Sequence, residues 1–204
     1  MNAGHVLGNE HSLDGLPGDR YDRRMEQALS ADPRYPVGKF SRSAAITATR
    51  RAELIDDLSR LPERLTNATR SLTREQLDTP YRDGGWTVRQ VVHHLADSHM
   101  NAYIRMRLGV TEDHPAVKTY DEQAWSELAD SRTAPIELSI ALLDSLHRRW
   151  VMWVRLLDAA AFARTVQHPE WGSITLDNLI ELYAWHCRHH VAHITELRKL
   201  KSWV

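Results

Sequence analysis

The chain has 204 residues, 42% of them hydrophobic and 26% charged, enough for one sizeable core, and one domain is the default. A formal net charge of −1 and the lack of any dense Lys/Arg run leave no electrostatic footprint for nucleic acid or an anionic membrane as partner. No apolar stretch approaches the roughly 20 residues of a membrane-spanning helix, and the N-terminus lacks the basic-then-apolar pattern of a signal peptide, so a cytoplasmic location is expected.

Residues 1–34 hold four of the nine glycines and no sustained periodicity, which predicts a mobile N-terminal extension with a helical turn or two around Asp22 to Leu29. His5 and His11 fall in it and have no patterned neighbours. The bundle domain is expected over 35–204.

From Ser43 the pattern becomes helical. Ile46, Leu54, Ile55, Leu58, Leu61, Leu65 and Leu72 predict one long helix bent at Pro62. Thr73 stands three before Gln76, a capping-box spacing for a single-turn helix, and Pro80 and the Gly84-Gly85 pair mark a connection. Thr87 stands three before Gln90 and opens a second long helix reaching about Leu108. Its apolar centre lies near His99 and roughly 115° from His94. His94 instead heads a polar stripe with Ser98, Asn101 and Arg105, within about 60° of arc, which suits a cavity wall beside a core face.

Gly109 to Arg132 has no long repeat of either period; a loop of this length with a short helix of its own is expected to form a lid or pocket rim. The third helix follows Pro135 and runs through to Asp158, with His147 close to its apolar centre. A lone core histidine of this kind is usually held by one hydrogen bond; a ligand or substrate role is the sharper alternative. The segment from His168 to Ser173 is turn-rich, and Thr175 is the expected N-cap of the last helix.

That last helix carries LYAWHCRHHVAHI, with His186, His189, His190 and His193. On a helix all four project within an arc of about 100°. His186/His190 and His189/His193 both have the i, i+4 spacing by which two imidazoles reach one cation. The apolar stripe of the helix is centred roughly 10° from His190 and 50° from His186, but about 110° and 70° from His189 and His193. His186 and His190 are therefore the inward pair. Cys187, the single cysteine, reads as a small buried hydrophobe.

Four long amphipathic helices with two long connections, and no convincing run of alternating strands, predict an all-α chain: an antiparallel four-helix bundle with long crossover connections. Bundles build metal sites from inward side chains of facing helices. The third ligand then comes from His94, His99 or His147, which pattern alone does not separate.

The stretches QLDTPYRDGGWTVRQVVHHLADSHMNAYIR, YDEQAWSEL, ALLDSLHRRW and WHCRHHVAHITEL resemble the DinB/YfiT-like family, in its YfiT branch, from Tyr35-Pro36-Val37-Gly38 to the C-terminus. By that resemblance the family's metal-binding histidines fall on His94, His186 and His190. Three neutral imidazoles leave a coordination position open, as catalytic zinc sites do. Zinc is expected, one ion per subunit, with nickel the alternative because imidazole suits both. The open position suits a water whose pKa falls to about 7 or a thiol deprotonated outright. The resemblance implies a transferase that conjugates a low-molecular-weight thiol such as bacillithiol to an electrophile. A metal-dependent hydrolase is the first alternative and a non-catalytic metal-binding stress protein the second. Arg105, His147, Arg148 and Arg149 are candidates for binding substrate, the arginines through a thiol's carboxylate, while Asp97, His189 and His193 are candidates for supporting the ligands or moving a proton. A homodimer is expected, on the resemblance and on the prevalence of two-fold dimers.

Overall fold

The structure, a computed structural model, describes residues 32–203; the expectations for Asp22 to Leu29, His5 and His11 lie outside the described residues. Pro33 onward forms one compact unit. The first long helix is two: α1 (Ala48–Ser59) and α2 (Leu61–Thr69). They meet at Arg60, whose N–H still reaches the Asp56 and Asp57 carbonyls. The break falls just before Pro62, which sits in the first turn of α2, where a missing N–H leaves nothing unsatisfied. Helix α1 starts at Ala48 because the Thr47 hydroxyl accepts from Arg50 N, five residues later than periodicity placed it.

The capping boxes form as the spacing predicts. Thr73 and Gln76 open α3 (Arg74–Leu77), and Thr87 and Gln90 open α4 (Val88–Thr111). Two short helices follow, α5 (Glu122–Ser126) and α6 (Ala129–Thr133). The third long helix, α7 (Ile136–Val154), is capped by Pro135 and ends four residues short of Asp158. After α8 (Ala159–Ala163) comes a hairpin that periodicity did not find, β1 (Thr165–His168) pairing antiparallel with β2 (Gly172–Thr175). Four-residue strands give too few alternations to read. Thr175 caps α9 (Leu176–Leu200), as expected.

The long helices form a four-helix bundle in which α4 packs on α7 and α9, and the α1–α2 pair packs on the same two. Their directions are set by who meets whom. His93 contacts Ser139 and His99 contacts His147, so α4 and α7 run parallel. Arg51 meets Asp177 and Arg198 meets the Ala68 carbonyl, so α9 runs parallel to α1–α2. The two parallel pairs oppose each other: Arg105 reaches back to Tyr183, and Arg155 to Asp56. Antiparallel packing thus holds between the pairs and not within them. A parallel pair of helices adjacent in sequence requires a long return, which is the work of the Glu112–Pro135 connection between α4 and α7.

Trp150, Leu95, Met106, Leu143 and Leu179 fill the centre of the bundle, each at most 1% exposed. The hairpin closes one end: an added Cβ on Gly109 would stand 2.6 Å from Leu176 Cδ2 and 2.8 Å from Val166 Cγ1, so any larger residue would have to push these buried side chains aside. Among the described residues no helix is long and apolar enough to cross a membrane.

Candidate metal centre

Helices α4 and α9 oppose each other, and their facing histidines meet. His94, His186 and His190 each offer a ring nitrogen within 4.8 Å of the others. The Nε2 atoms of His94 and His186 are 3.2 Å apart. Two nitrogens bound tetrahedrally to one zinc at its usual bond length stand about 3.3 Å apart, so the spacing fits a shared ion.

Burial keeps these rings neutral, the state a ligand needs. It pushes His94 down to about 3, and His186 and His190 well below the ordinary histidine value, with the neighbouring imidazoles adding to the effect. His189, His190 and His193 each bury Nδ1 without a hydrogen bond. Buried imidazole nitrogens are normally paired, so these unpaired ones beside the cluster, that of His190 within it, are compatible with a bound cation there.

The three rings open onto a cavity of about 340 Å³. Its walls come from loops. Gly84, at φ +64°, turns the chain so that Tyr81 N bonds to Trp86 O and both rings face the cluster. Trp86 lies 4.6 Å from the His94 ring and donates Nε1–H to Gln123 at 3.0 Å. Tyr81 stacks on His193 at 4.0 Å and Trp185 on His189 at 4.4 Å. His189 and His193 therefore line the cavity; no hydrogen bond joins either of them to the three clustered rings among the described residues. A larger hollow of about 740 Å³ lies between α2 and the end of α9 and contains none of the histidines.

A second compartment of about 420 Å³ adjoins the first, sharing His186, Trp185, Glu122 and Gln123. Ser98 and Arg105 line it, so the polar stripe read on α4 does form a cavity wall, except for Asn101, which bonds to the Asp97 carbonyl. Arg105 is 6% exposed. It donates to the Lys118 carbonyl and the Tyr183 hydroxyl, and among the described residues no carboxylate pairs with it. Burial raises the Tyr183 hydroxyl, so it stays protonated.

The other candidates lie elsewhere. Arg148 and Arg149 are exposed on the outer face of α7, where Arg148 sits 3.7 Å from Asp144; neighbours of a core histidine in sequence turn away from the core on a helix. His147 is 1% exposed and held between the Leu58 carbonyl and His99, with no opening to the cavity. The Asp97 carboxyl bonds to no histidine among the described residues; burial, with Asp130 nearby, raises it to about 6. The carboxylate that does reach the cavity is Glu122 at its rim, pushed upward by the desolvating cleft walls and by Glu170 and Asp121. Its signal in sequence was only the long loop that carries it.

The model of the DinB superfamily matches residues 57–194. Over 170 residues the chain is 51% identical to YfiT of Bacillus subtilis, covering 83% of this chain and 96% of that one. It is also 51% identical to a relative from Oceanobacillus iheyensis, with 98% of that chain covered. Both names give metal-dependent hydrolysis as provisional. The solved structure of YfiT, described as a probable metal-dependent hydrolase with an unusual four-helix bundle topology, superposes with a TM-score of 0.83 at 50% identity, covering 85% of this chain and all of the other. With the family model spanning more than half of its length and YfiT matching it throughout the bundle, this chain belongs to the DinB superfamily.

Proposed function

We propose that the protein is a metal-dependent thiol S-transferase with zinc, or alternatively nickel, held by His94, His186 and His190. The observation that carries this reading is the pairing of an open three-imidazole cluster with an adjoining compartment that buries Arg105 without a carboxylate partner among the described residues. Three neutral imidazoles suit an ion that keeps a position for substrate. A buried guanidinium with spare donors suits a planar carboxylate on that substrate. Bound there, zinc supplies the Lewis acidity that makes a thiol nucleophilic at neutral pH.

The chain's own residues do the rest. Arg105 anchors the acidic end of a low-molecular-weight thiol such as bacillithiol, placing its sulfur beside His186. Tyr81, Trp86 and Trp185 wall the site with aromatic surface and exclude water. In the transfer the sulfur–carbon bond forms, the bond from carbon to its leaving group breaks with the electron pair going to that group, and the thiol proton is taken up by Glu122 and passed to solvent. The raised carboxyl of Glu122 makes it a stronger proton acceptor than an ordinary carboxylate.

Hydrolysis is the second reading, favoured by the names of the relatives and by the same rim carboxylate, which would then take a proton from water. Zinc-loaded protein incubated with bacillithiol, glutathione and a haloalkane separates the two. The expected result is a thioether adduct detected by mass, absent without thiol; cleavage of an ester without any thiol would replace the transferase by the hydrolase. We further propose a cytoplasmic homodimer, for which sedimentation at micromolar concentration should give twice the chain mass.

A further inference from the structure

His186 is not held by the cluster alone. Its other nitrogen, Nδ1, lies 3.2 Å from His99 Nε2. His99 Nδ1 lies 3.0 Å from His147 Nε2, and His147 Nδ1 lies 2.7 Å from the Leu58 carbonyl oxygen. The line of rings passes from α9 to α4 to α7 to α1, crossing every wall of the bundle. It is buried: His99 and Leu58 are 0% exposed and His147 1%, with Trp150 edge-on to both histidines and Tyr183 edge-on to His99, while His147 borders a hollow of about 460 Å³ beside Asp144 and Arg148.

The order of protons along this line follows from its end. A carbonyl only accepts, so His147 Nδ1 carries the hydrogen. With the rings this deeply buried and no carboxylate bonded to any of the three among the described residues, the neutral imidazole is the form that burial permits. His147 Nε2 is then bare and must receive a hydrogen from His99 Nδ1. By the same step His99 Nε2 is bare and receives from His186 Nδ1. Each ring is left one choice, and the last leaves the lone pair of His186 Nε2 facing His94 and the cavity.

We propose that His99 and His147 are positioning residues: a directed hydrogen-bond relay from the Leu58 carbonyl that locks His186 as its Nδ1–H tautomer and aims Nε2 at the metal. Metal-binding histidines commonly donate their second nitrogen to a carboxylate or carbonyl, which fixes ring and tautomer. Here the carbonyl lies two rings away and two buried histidines carry its directionality to the ligand. The role also explains why the inward apolar face of α4 holds a histidine at position 99.

The tautomer order belongs to the chain itself; its consequence for affinity rests on the three-histidine site proposed above. Two measurements on the full chain separate them. In metal-free, 15N-labelled protein, long-range proton–nitrogen correlations should show His147, His99 and His186 all protonated at Nδ1. Finding His186 protonated at Nε2 overturns the relay, whatever the metal does. By chelator competition, His99→Leu should weaken zinc binding about 10- to 100-fold. His99→Gln, whose amide can accept from His186 and donate to His147, should restore affinity to within a few-fold of the parent. A natively folded His99→Leu with unchanged zinc affinity also overturns the relay. Should His99→Leu fail to fold, the tautomers of the parent protein still decide. A parent chain with these tautomers that binds no zinc would support the relay and sink the three-histidine reading instead.

Discussion

His94 and His186, on helices that run in opposite directions, bring their Nε2 atoms to 3.2 Å, while His189 and His193, one arc away on the same helix as His186, stack against Trp185 and Tyr81. That division predicts an asymmetric mutational result. His94→Ala, His186→Ala and His190→Ala should each lower zinc affinity by more than about 100-fold, since loss of one of three imidazoles removes a first-row metal's bond outright. His189→Ala and His193→Ala should stay within about tenfold, the range of groups that only surround the ligands. Metal content after dialysis checks this, and a site emptied by His189→Ala but not by His94→Ala would refute the assignment.

Thr87 holds the start of α4, accepting from Gln90 N while Gln90 returns a bond to the Thr87 backbone and donates to the Ser126 carbonyl. Thr87→Ala should lower unfolding stability by about 1 kcal/mol, the usual worth of an N-cap. Denaturant titration should show the midpoint shift without a change of slope.

These two sites show what is legible in a sequence. A capping box is read from residues three apart, and Thr73, Thr87 and Thr175 all cap as the local spacing says. His186 and His190 are legible because spacing and apolar moment agree. His94 and His99 are harder, because a moment reports the direction of mean burial and not of a cavity. Both are in fact buried, at 4% and 0%, one facing the cluster and the other the core behind it. Trp86, Tyr81 and Glu122 reach the cavity from connections, where no period exists to place them. Helix directions escape for a related reason: amphipathic faces say what is buried, and only the lengths of the connections carry a hint of which way the next helix returns.

The buried imidazoles also set how the metal-free fold responds to acid. His94 and His193 are pushed down to about 3 and His147 and His189 to about 4, chiefly by burial, and His99, His186 and His190 lie well below their ordinary value. Between those values and the unfolded value near 6.5, the unfolded chain binds more protons, so stability rises with pH. It should fall steadily as pH drops from about 6.5 towards 4. Asp97, raised to about 6, and Glu122, also raised, act the other way, losing stability as pH rises through their shifted range, but two carboxyls oppose nine imidazoles, since His93 and His168 are lowered as well. Added zinc should move the loss to lower pH, because protons must displace the ion first. Thermal unfolding followed across pH 4–7, with and without zinc, reads both effects; a flat metal-free profile would mean that the cluster is open to solvent.

Arg105 supplies the sharpest test of substrate chemistry. Its guanidinium is buried beside Tyr183 and the Lys118 carbonyl, so Arg105→Ala would remove packing as well as charge. Arg105→Lys keeps the charge and much of the stem but loses the planar fork that grips a carboxylate at two points. A lost charge-assisted bidentate contact is worth about 1.5–3 kcal/mol, which corresponds to roughly 10- to 150-fold in KM for a carboxylate-bearing thiol. The KM for a simple uncharged thiol should stay within about threefold, and zinc content should not change, since Arg105 touches none of the three histidines. Glu122→Gln should behave differently, lowering kcat for every thiol and flattening the acid limb of its pH profile, because a proton acceptor is lost and an anchor is not. If Arg105→Lys weakens charged and uncharged thiols alike, the arginine is holding the α4–α9 wall together and the acidic end of the substrate lies elsewhere.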